Sequence, residues 1–374
     1  MGLRCGIVGL PNVGKSTLFN ALTMTAAAEI ANYPFSTIEP NVGRVTVPDE
    51  RLERVTRLAG SPKIVPTWLE FVDIAGLVKG ASRGEGLGNK FLSHIREIDA
   101  IIHVLRCFAS SEVSHVEGSV DPVRDAELVD TELLLADLES LERRIDPLTK
   151  KARGGDKEAK DTLGLVERVL GLLREGKPAR RAQRSPEEEA PFRQLQLLTA
   201  RPVLYLCNVA EEDAATGNTE TARVAEMAES QGAGSLAVSA AIEAEIARLD
   251  TDARSEFLSE LGLEETGLAR VIFAAYRLLD LITFFTAGPK EARAWTTKRG
   301  TTASRAGGMI HSDFERGFIT AETISYDDYI GLSGEQGAKE AGRMRQEGRD
   351  YRVQDGDVIL FRFNVSQSAA RKRA

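Results

Sequence analysis

The sequence predicts a mostly parallel α/β domain built on a phosphate-binding loop, interrupted by a helical hairpin and followed by a small α+β domain. Three observations predict it. The run Gly9-Leu-Pro-Asn-Val-Gly-Lys-Ser16 is a G-x-x-x-x-G-K-S loop placed directly after the apolar run Leu3–Val8 and before a helical pattern. Short apolar runs then alternate with helical patterns to about residue 110, as in a parallel sheet covered on both faces. The texture changes to long polar helices between about Asp121 and Ala200, and to short strands and turns from Thr283 onward.

Composition sets the outer limits. A chain of 374 residues has room for two or three domains, and 42% hydrophobic with 28% charged residues is ordinary for a globular protein. The net charge of −8 argues against a whole-surface attraction to nucleic acid but leaves room for a local basic patch. Cys5, Cys107 and Cys207 lie in or beside apolar runs and form no C-x-x-C pair, so reduced, buried thiols in a cytoplasmic protein are the expectation. No apolar run approaches a membrane span, so no membrane partner is expected.

Element by element, strands are expected at Leu3–Val8, Asn41–Val47, Thr67–Val72 and Ala100–Arg106, with helices over Lys15–Leu22 and Lys90–Glu97. Leu134, Leu138, Leu141 and Ile145 recur at helical spacing and give one apolar seam. After the break at Gly154-Gly155, a second helix carries Leu163, Val166, Val169, Leu170 and Leu173 until Gly176-Lys-Pro178 ends it. The pair reads as an antiparallel hairpin, either a projecting arm that touches a partner or a cap that only covers core. Strand signals resume at Pro202–Cys207 and Gly234–Val238. The expected domains are therefore residues 1–120 with 201–282 for the nucleotide, 121–200 for the inserted hairpin and 283–366 for the terminal domain. Residues 367–374 read as a disordered tail.

In the loop, Gly9 and Gly14 let successive N–H groups of Asn12, Val13, Gly14, Lys15, Ser16 and Thr17 face one anion. The helix that follows aims its positive end at the same point. Lys15 can reach the β- and γ-phosphates, and the Ser16 hydroxyl can ligate Mg²⁺. Asp73-Ile-Ala-Gly76 closes an apolar strand, where a second Mg²⁺-linked carboxylate (Asp73) and a γ-phosphate-sensing glycine (Gly76) belong. Between the first helix and the second strand, Asn32–Asn41 holds Thr37, placed to bring a hydroxyl to Mg²⁺ when the γ-phosphate is present. Ser82–Asn89, with glycines at 84, 86 and 88, suits a second switch.

Base choice is read from Asn208-Val-Ala-Glu211, after the strand that ends at Cys207. A guanine-specific site would read Asn-Lys-x-Asp, its Asp accepting from N1–H and the exocyclic amine. Val209 replaces the lysine that packs on the base and Glu211 replaces the aspartate, which turns the expectation from GTP to ATP. Ser239-Ala-Ala241 fits the last base-proximal loop, although that tripeptide alone says little.

These residues are similar to the YchF/Obg-like ATPases, a branch of the Obg-type translation-factor GTPases, over nearly the whole chain. The resemblance rests on Gly6–Asn20, Asn32–Gly43, Phe71–Gly88, Asn208–Glu211, Gln336–Gly342 and Asp350–Val365. It implies a Ras-like P-loop NTPase domain, an inserted coiled-coil hairpin and a C-terminal β-grasp domain of the TGS type. It also implies ATP rather than GTP hydrolysis, and association with the ribosome, with RNA contact through the TGS domain or the helical face. Ser36 departs from the family, whose members often carry Cys there, and residues 366–374 run past the usual end.

Hydrolysis poses a separate question. Where a Ras-like enzyme has a water-orienting Gln after Asp-x-x-Gly, this chain has Leu77, whose alkyl group can neither position water nor stabilise charge. Among four histidines, His103 sits inside an apolar strand, His94 on a helix and His311 in the terminal domain. His115 lies in the loop after the strand Ala100–Arg106, at the ligand-binding edge of the sheet. It reads equally as a water-orienting group or an exposed loop residue, and the resemblance points to catalysis. For Asn12 the resemblance implies K⁺ beside the phosphates, acting as an arginine finger does, against a plain turn-stabilising role. Three functions fit: a slow ATP switch associated with ribosomes, a GTPase of the same architecture, or a nucleotide sensor whose hydrolysis matters little. For partner binding, Lys290–Arg305 is the richest basic stretch, against a solvated face as the alternative.

Overall fold

The computed structural model describes residues 3–30, 42–74, 87–109 and 119–364. Among them run twelve strands: β1 (Arg4–Val8), β2 (Val42–Thr46), β3 (Ile64–Val65), β4 (Trp68–Asp73), β5 (Ala100–Arg106) and β6 (Val203–Asn208), then β7 (Gly234–Val238), β8 (Leu281–Ala287), β9 (Ala292–Lys298), β10 (Phe318–Ile324), β11 (Arg345–Glu347) and β12 (Val358–Phe363). They form two six-stranded sheets, ordered β2-β4-β1-β5-β6-β7 and β11-β10-β12-β8-β9-β3. The chain divides into two compact units, residues 1–45 with 69–278, and residues 46–68 with 279–374.

In the first unit β1 runs parallel to β4 and β5, β5 to β6, and β6 to β7. Strands β5 and β6 are buried along their full length, because helices cover both faces and no polar alternation is tolerated. The order reverses at β1, so the loop leaving β1 emerges where open α/β sheets bind ligands. Helix Lys15–Ile30 is two turns longer than its apolar pattern suggests, since Thr25–Ile30 lacks periodicity but holds three alanines of high helix propensity.

The insertion is a helical hairpin, Pro122–Arg153 followed by Lys157–Arg174. Asp121 caps the first helix with Pro122 at its start, and Asp156 caps the second by accepting from the Ala159 N–H at 3.0 Å. Leu141, Leu165, Val166, Val169, Leu170 and Leu173 are buried together, with Leu134, Leu138 and Ile145 against them, so the expected seam forms. Asp137, buried, accepts from the Leu198 N–H, the Thr199 N–H and the Thr199 hydroxyl at 2.9, 2.8 and 2.7 Å, fixing the returning chain to the first helix.

In the second unit β8 and β9 form an antiparallel hairpin, while β12 runs parallel to β8 and antiparallel to β10. The order β9-β8-β12-β10 with parallel centre strands is a β-grasp arrangement. Ile282 and Phe284 of β8 pack with Ala303 and Ala306 of helix Ala303–Ile310. Phe285 packs on the other side with Leu52 and Val55 of helix Glu50–Ala59. Residues 46–68, read from the sequence as part of the nucleotide domain, therefore differ from that expectation and build one layer of the terminal domain. Two covering layers explain why Leu281–Phe285 is buried without alternation.

Candidate functional site

The phosphate loop is shaped by backbone conformations that most side chains avoid. Gly9 has φ 152°, Asn12 φ 63° and Gly14 φ 95°. A Cβ on Gly9 would lie 2.4 Å from the Val104 carbonyl oxygen, so glycine is needed for the loop to leave β1 beside β5. The first turn of helix Lys15–Ile30 holds no acidic residue, and Ser16 and Thr17 are exposed there. Its positive end is thus not neutralised from within the helix.

Lys15 is 8% exposed and its Nζ donates to the Leu10 carbonyl at 2.6 Å. Burial lowers its pKa, and the Asp73 carboxylate partly restores it; burial likewise raises Asp73 while Lys15 opposes that shift. The ammonium rests on the loop's own carbonyl and senses the carboxylate at the end of β4. Asp73 and Ser16 are hard oxygen donors on two segments that flank this lysine.

On the base side Asn208, at the end of β6, joins three segments. Its Nδ2 donates to the Val13 carbonyl at 3.0 Å and its Oδ1 accepts from the Ala240 N–H at 2.9 Å. The sequence points to Asn208 as a base contact; the structure gives its amide to the two loops, leaving one N–H and one lone pair for a base. Val209 is 3% exposed with its N–H on the Val238 carbonyl, so this alkyl group is packed inside rather than presented to a ligand. Glu211 begins a short 3₁₀ turn and is exposed. Ser239 is buried, and its hydroxyl has no hydrogen-bond partner among the described residues. A buried, unpaired hydroxyl beside Ala240 has a use if a ligand group completes it.

Two residues that hold this frame escape a reading of the sequence. Glu243 is buried and accepts from the Gly267 and Leu268 N–H groups at 2.7 and 3.1 Å, tying the helix after Ser239 to the start of helix Gly267–Leu278. Asn218 caps helix Thr219–Ser230 and donates to the Cys107 carbonyl at 2.9 Å. Both are acid or amide caps whose partners lie far along the chain, so only Asn218 carries a local signal. Cys5, Cys107 and Cys207 are free and buried. Thr37, Gly76, Leu77, the Ser82–Gly86 part of the glycine-rich segment and His115 lie outside the described residues.

His103 is packed as expected, fully buried on β5 with its Nε2 unpartnered among the described residues. Burial pushes its pKa down to about 4. The folded value lies below the unfolded one, so its contribution is present above pH 6.5 and is lost as pH falls towards 4. Between pH 7 and 4 the unfolding free energy of the wild type should fall by about 3 kcal/mol more than that of His103→Leu. Denaturant titrations at both pH values check this, and equal losses refute it.

A G-x-x-x-x-G-K-S loop that leaves a parallel strand through positive-φ Gly9, Asn12 and Gly14 and buries Lys15 ahead of a helix fits a polyphosphate, which makes this chain a P-loop nucleotide-binding protein. Residues 4–137 match the family model described as 50S ribosome-binding GTPase, and residues 281–364 match the YchF-GTPase_C model, described as a protein of unknown function (DUF933). The chain belongs to the YchF family. It is 56% identical over 98% of its length to all of the curated Ribosome-binding ATPase YchF of Escherichia coli O157:H7, and 53% identical over 98% to all of that of Bacillus subtilis. A solved structure of the Schizosaccharomyces pombe YchF GTPase superposes with a TM-score of 0.87 at 37% identity, covering 96% of this chain and 98% of that one. No helix among the described residues is long and apolar enough to cross a membrane.

Proposed function

We propose that the chain is a slow ATPase whose nucleotide state gates its association with ribosomes. The curated relatives are named for both properties, while the fission-yeast structure is titled a GTPase. The names therefore divide on the base, and the site's chemistry must choose. The observation that carries the choice is the pair Val209 and Glu211. Guanine recognition needs a carboxylate held against its N1–H and amine, with a lysine stem along the ring. Here Val209 is buried and the carboxylate is an exposed Glu211, one methylene longer. Against guanine this leaves donors poorly paired, a loss that discriminates strongly in a closed site.

The roles follow from the same geometry. The N–H groups from Asn12 to Thr17 would bind the phosphates, with Lys15 leaving the Leu10 carbonyl for the β- and γ-phosphates. Ser16, Thr37 and Asp73 would hold Mg²⁺. Among the described residues no group of three acidic, His or Cys side chains could cage a metal, which fits a cation held largely by phosphates and water. Mg²⁺, when bound, would supply positive charge to the phosphate oxygens. Gly76 would sense the γ-phosphate, Ser239 and Asn208 would border the base, and His115 would orient the attacking water that Leu77 cannot. Asn12, exposed in the loop, would bring K⁺ beside the phosphates.

Competition titration tests the base. ATP should bind at least about tenfold more tightly than GTP, a difference of about 1.4 kcal/mol. A tenfold preference for GTP would overturn the reading in favour of a GTPase. Turnover in KCl against NaCl, run on the same protein, tests K⁺, and equal rates would remove it.

A further inference from the structure

The end of the helical arm carries a charge pattern that helix stability explains only in part. From Lys150 to Lys160 stand five basic residues, Lys150, Lys151, Arg153, Lys157 and Lys160, against two carboxylates, Asp156 and Glu158, a local charge of +3 in a chain of −8. All five are exposed, and none has an ion-pair partner among the described residues. Further down the arm three arginines are paired, Arg143 with Glu139 at 3.2 Å, Arg174 with Glu142 at 3.0 Å, and Arg168 with Glu188, while Arg144 has no ion pair among the described residues. Asp156 is already committed to capping the second helix.

Placement sharpens the point. Lys150, Lys151 and Arg153 sit in the last turn of a helix, where cations are favourable. Lys157 is the first residue of the next helix and Lys160 lies in its first turn, at the positive end, where cations are unfavourable. Stability alone would not put them there. The turn that joins the helices is stiffly bonded, Gly154 N–H to the Lys150 and Lys151 carbonyls and Asp156 N–H to the Lys151 carbonyl, so the charges are presented with little ordering left to do. The first helix has 32 residues, which at 1.5 Å each makes it about 48 Å long, and its buried residues lie between Pro122 and Leu141, so the tip is its exposed end.

We propose that this tip docks on the phosphate backbone of structured RNA, which, resting on the reading above, is ribosomal RNA. A protein partner fits poorly. Protein interfaces need a desolvated apolar centre, and the exposed large apolar residue nearest in sequence among those described is Leu135, outside the turn. Phosphates ask only for unpaired cations and reward them by counterion release. The basic stretch that the sequence favours is a weaker choice. Two of its five cations are engaged, Arg299 with Asp280 at 3.1 Å and Arg293 over the Trp295 ring with Glu291 at 3.9 Å, while Lys290, Lys298 and Arg305 are exposed with no ion pair among the described residues.

The test compares the full chain with a variant carrying Gln at 150, 151, 153, 157 and 160, and with a second variant in which the four lysines are Arg. Binding to ribosomes and to an RNA hairpin is measured with ATP across a KCl series. The Gln variant should bind both at least about tenfold more weakly at low salt, with the slope of log K against log[KCl] reduced by about 3 or more. The Arg variant should bind like the wild type, and all three proteins should keep the same helicity and basal ATP turnover. If wild type and Gln variant bind ribosomes alike with equal slopes, the tip proposal fails and the ribosome reading stands. If the wild type binds neither ribosomes nor RNA, both fail. If an acidic peptide displaces the wild type from ribosomes as effectively as RNA does, the phosphate assignment fails in favour of a protein contact.

Discussion

Gly14→Ala is expected to weaken ATP binding by at least about 100-fold, while the chain still folds. The glycine has φ 95°, a conformation that costs an alanine on the order of 1–3 kcal/mol. Space compounds this cost. A Cβ there would lie 2.3 Å from Nδ2 of Asn208, a distance real contacts essentially never reach, so the Asn208 amide must move. That amide joins the Val13 carbonyl of the phosphate loop to the Ala240 N–H of the base-side loop. Displacing it unpairs two buried groups at about 1–3 kcal/mol each and separates the loops that must close on one nucleotide. Gly155→Ala is the control. It also has positive φ, at 90°, but nothing lies within 4 Å of a Cβ there, so it should bear backbone strain alone and leave ATP binding unchanged. Calorimetric titration with ATP decides it: affinity within about threefold of wild type for Gly14→Ala would show that Asn208 is not a strut.

Much of this frame can be read from local pattern. The phosphate loop announces itself through glycine and lysine spacing, and β1, β5 and β6 through apolar runs that both-face burial requires. The hairpin seam appears at helical spacing, although Leu165, buried in it, is not among the residues that the pattern marks. What the pattern could not show is pairing across distance. Helix Glu50–Ala59 buries only Leu52 and Val55, an ordinary amphipathic signature, and nothing local says that its apolar face belongs to Phe285. Asn208 reads as a base contact because its motif is named for that role, while its actual partners, Val13 and Ala240, are carbonyl and amide groups that no side-chain pattern encodes. Basic residues are countable in a sequence, but whether each has an acid beside it is not. That is why Lys290–Arg305, where Arg299 and Arg293 have acids beside them, looks as rich as the arm tip, whose five cations have none among the described residues.

His115→Ala should keep ATP affinity and lose most of the turnover, by at least about 100-fold, the usual scale for removing a positioned acid–base or water-orienting group. The resemblance to the YchF/Obg-like ATPases points to His115, and the chemistry of the other groups agrees with it. Leu77 occupies the position from which a Ras-like Gln would orient water, and an alkyl side chain offers neither donor nor acceptor. In the proposed roles Lys15 takes phosphate charge and Asp73 the metal. His103 is fully buried and held neutral by its surroundings, so it cannot take the role. His94 lies within helix Leu87–Glu97 and His311 in the terminal unit. In sequence His115 follows β5, whose end lies at the ligand-binding edge of the sheet. Removing it should leave phosphate binding intact, because no N–H group of the loop and no metal ligand is touched, so the loss falls on kcat rather than on the ATP dissociation constant. His115→Gln keeps an amide that can orient water and should retain more activity than His115→Ala. Single-turnover hydrolysis, measured alone and with ribosomes, separates the chemical step from product release. If both variants turn over like the wild type, water is oriented by another group and the third reading, a sensor whose hydrolysis matters little, gains the ground.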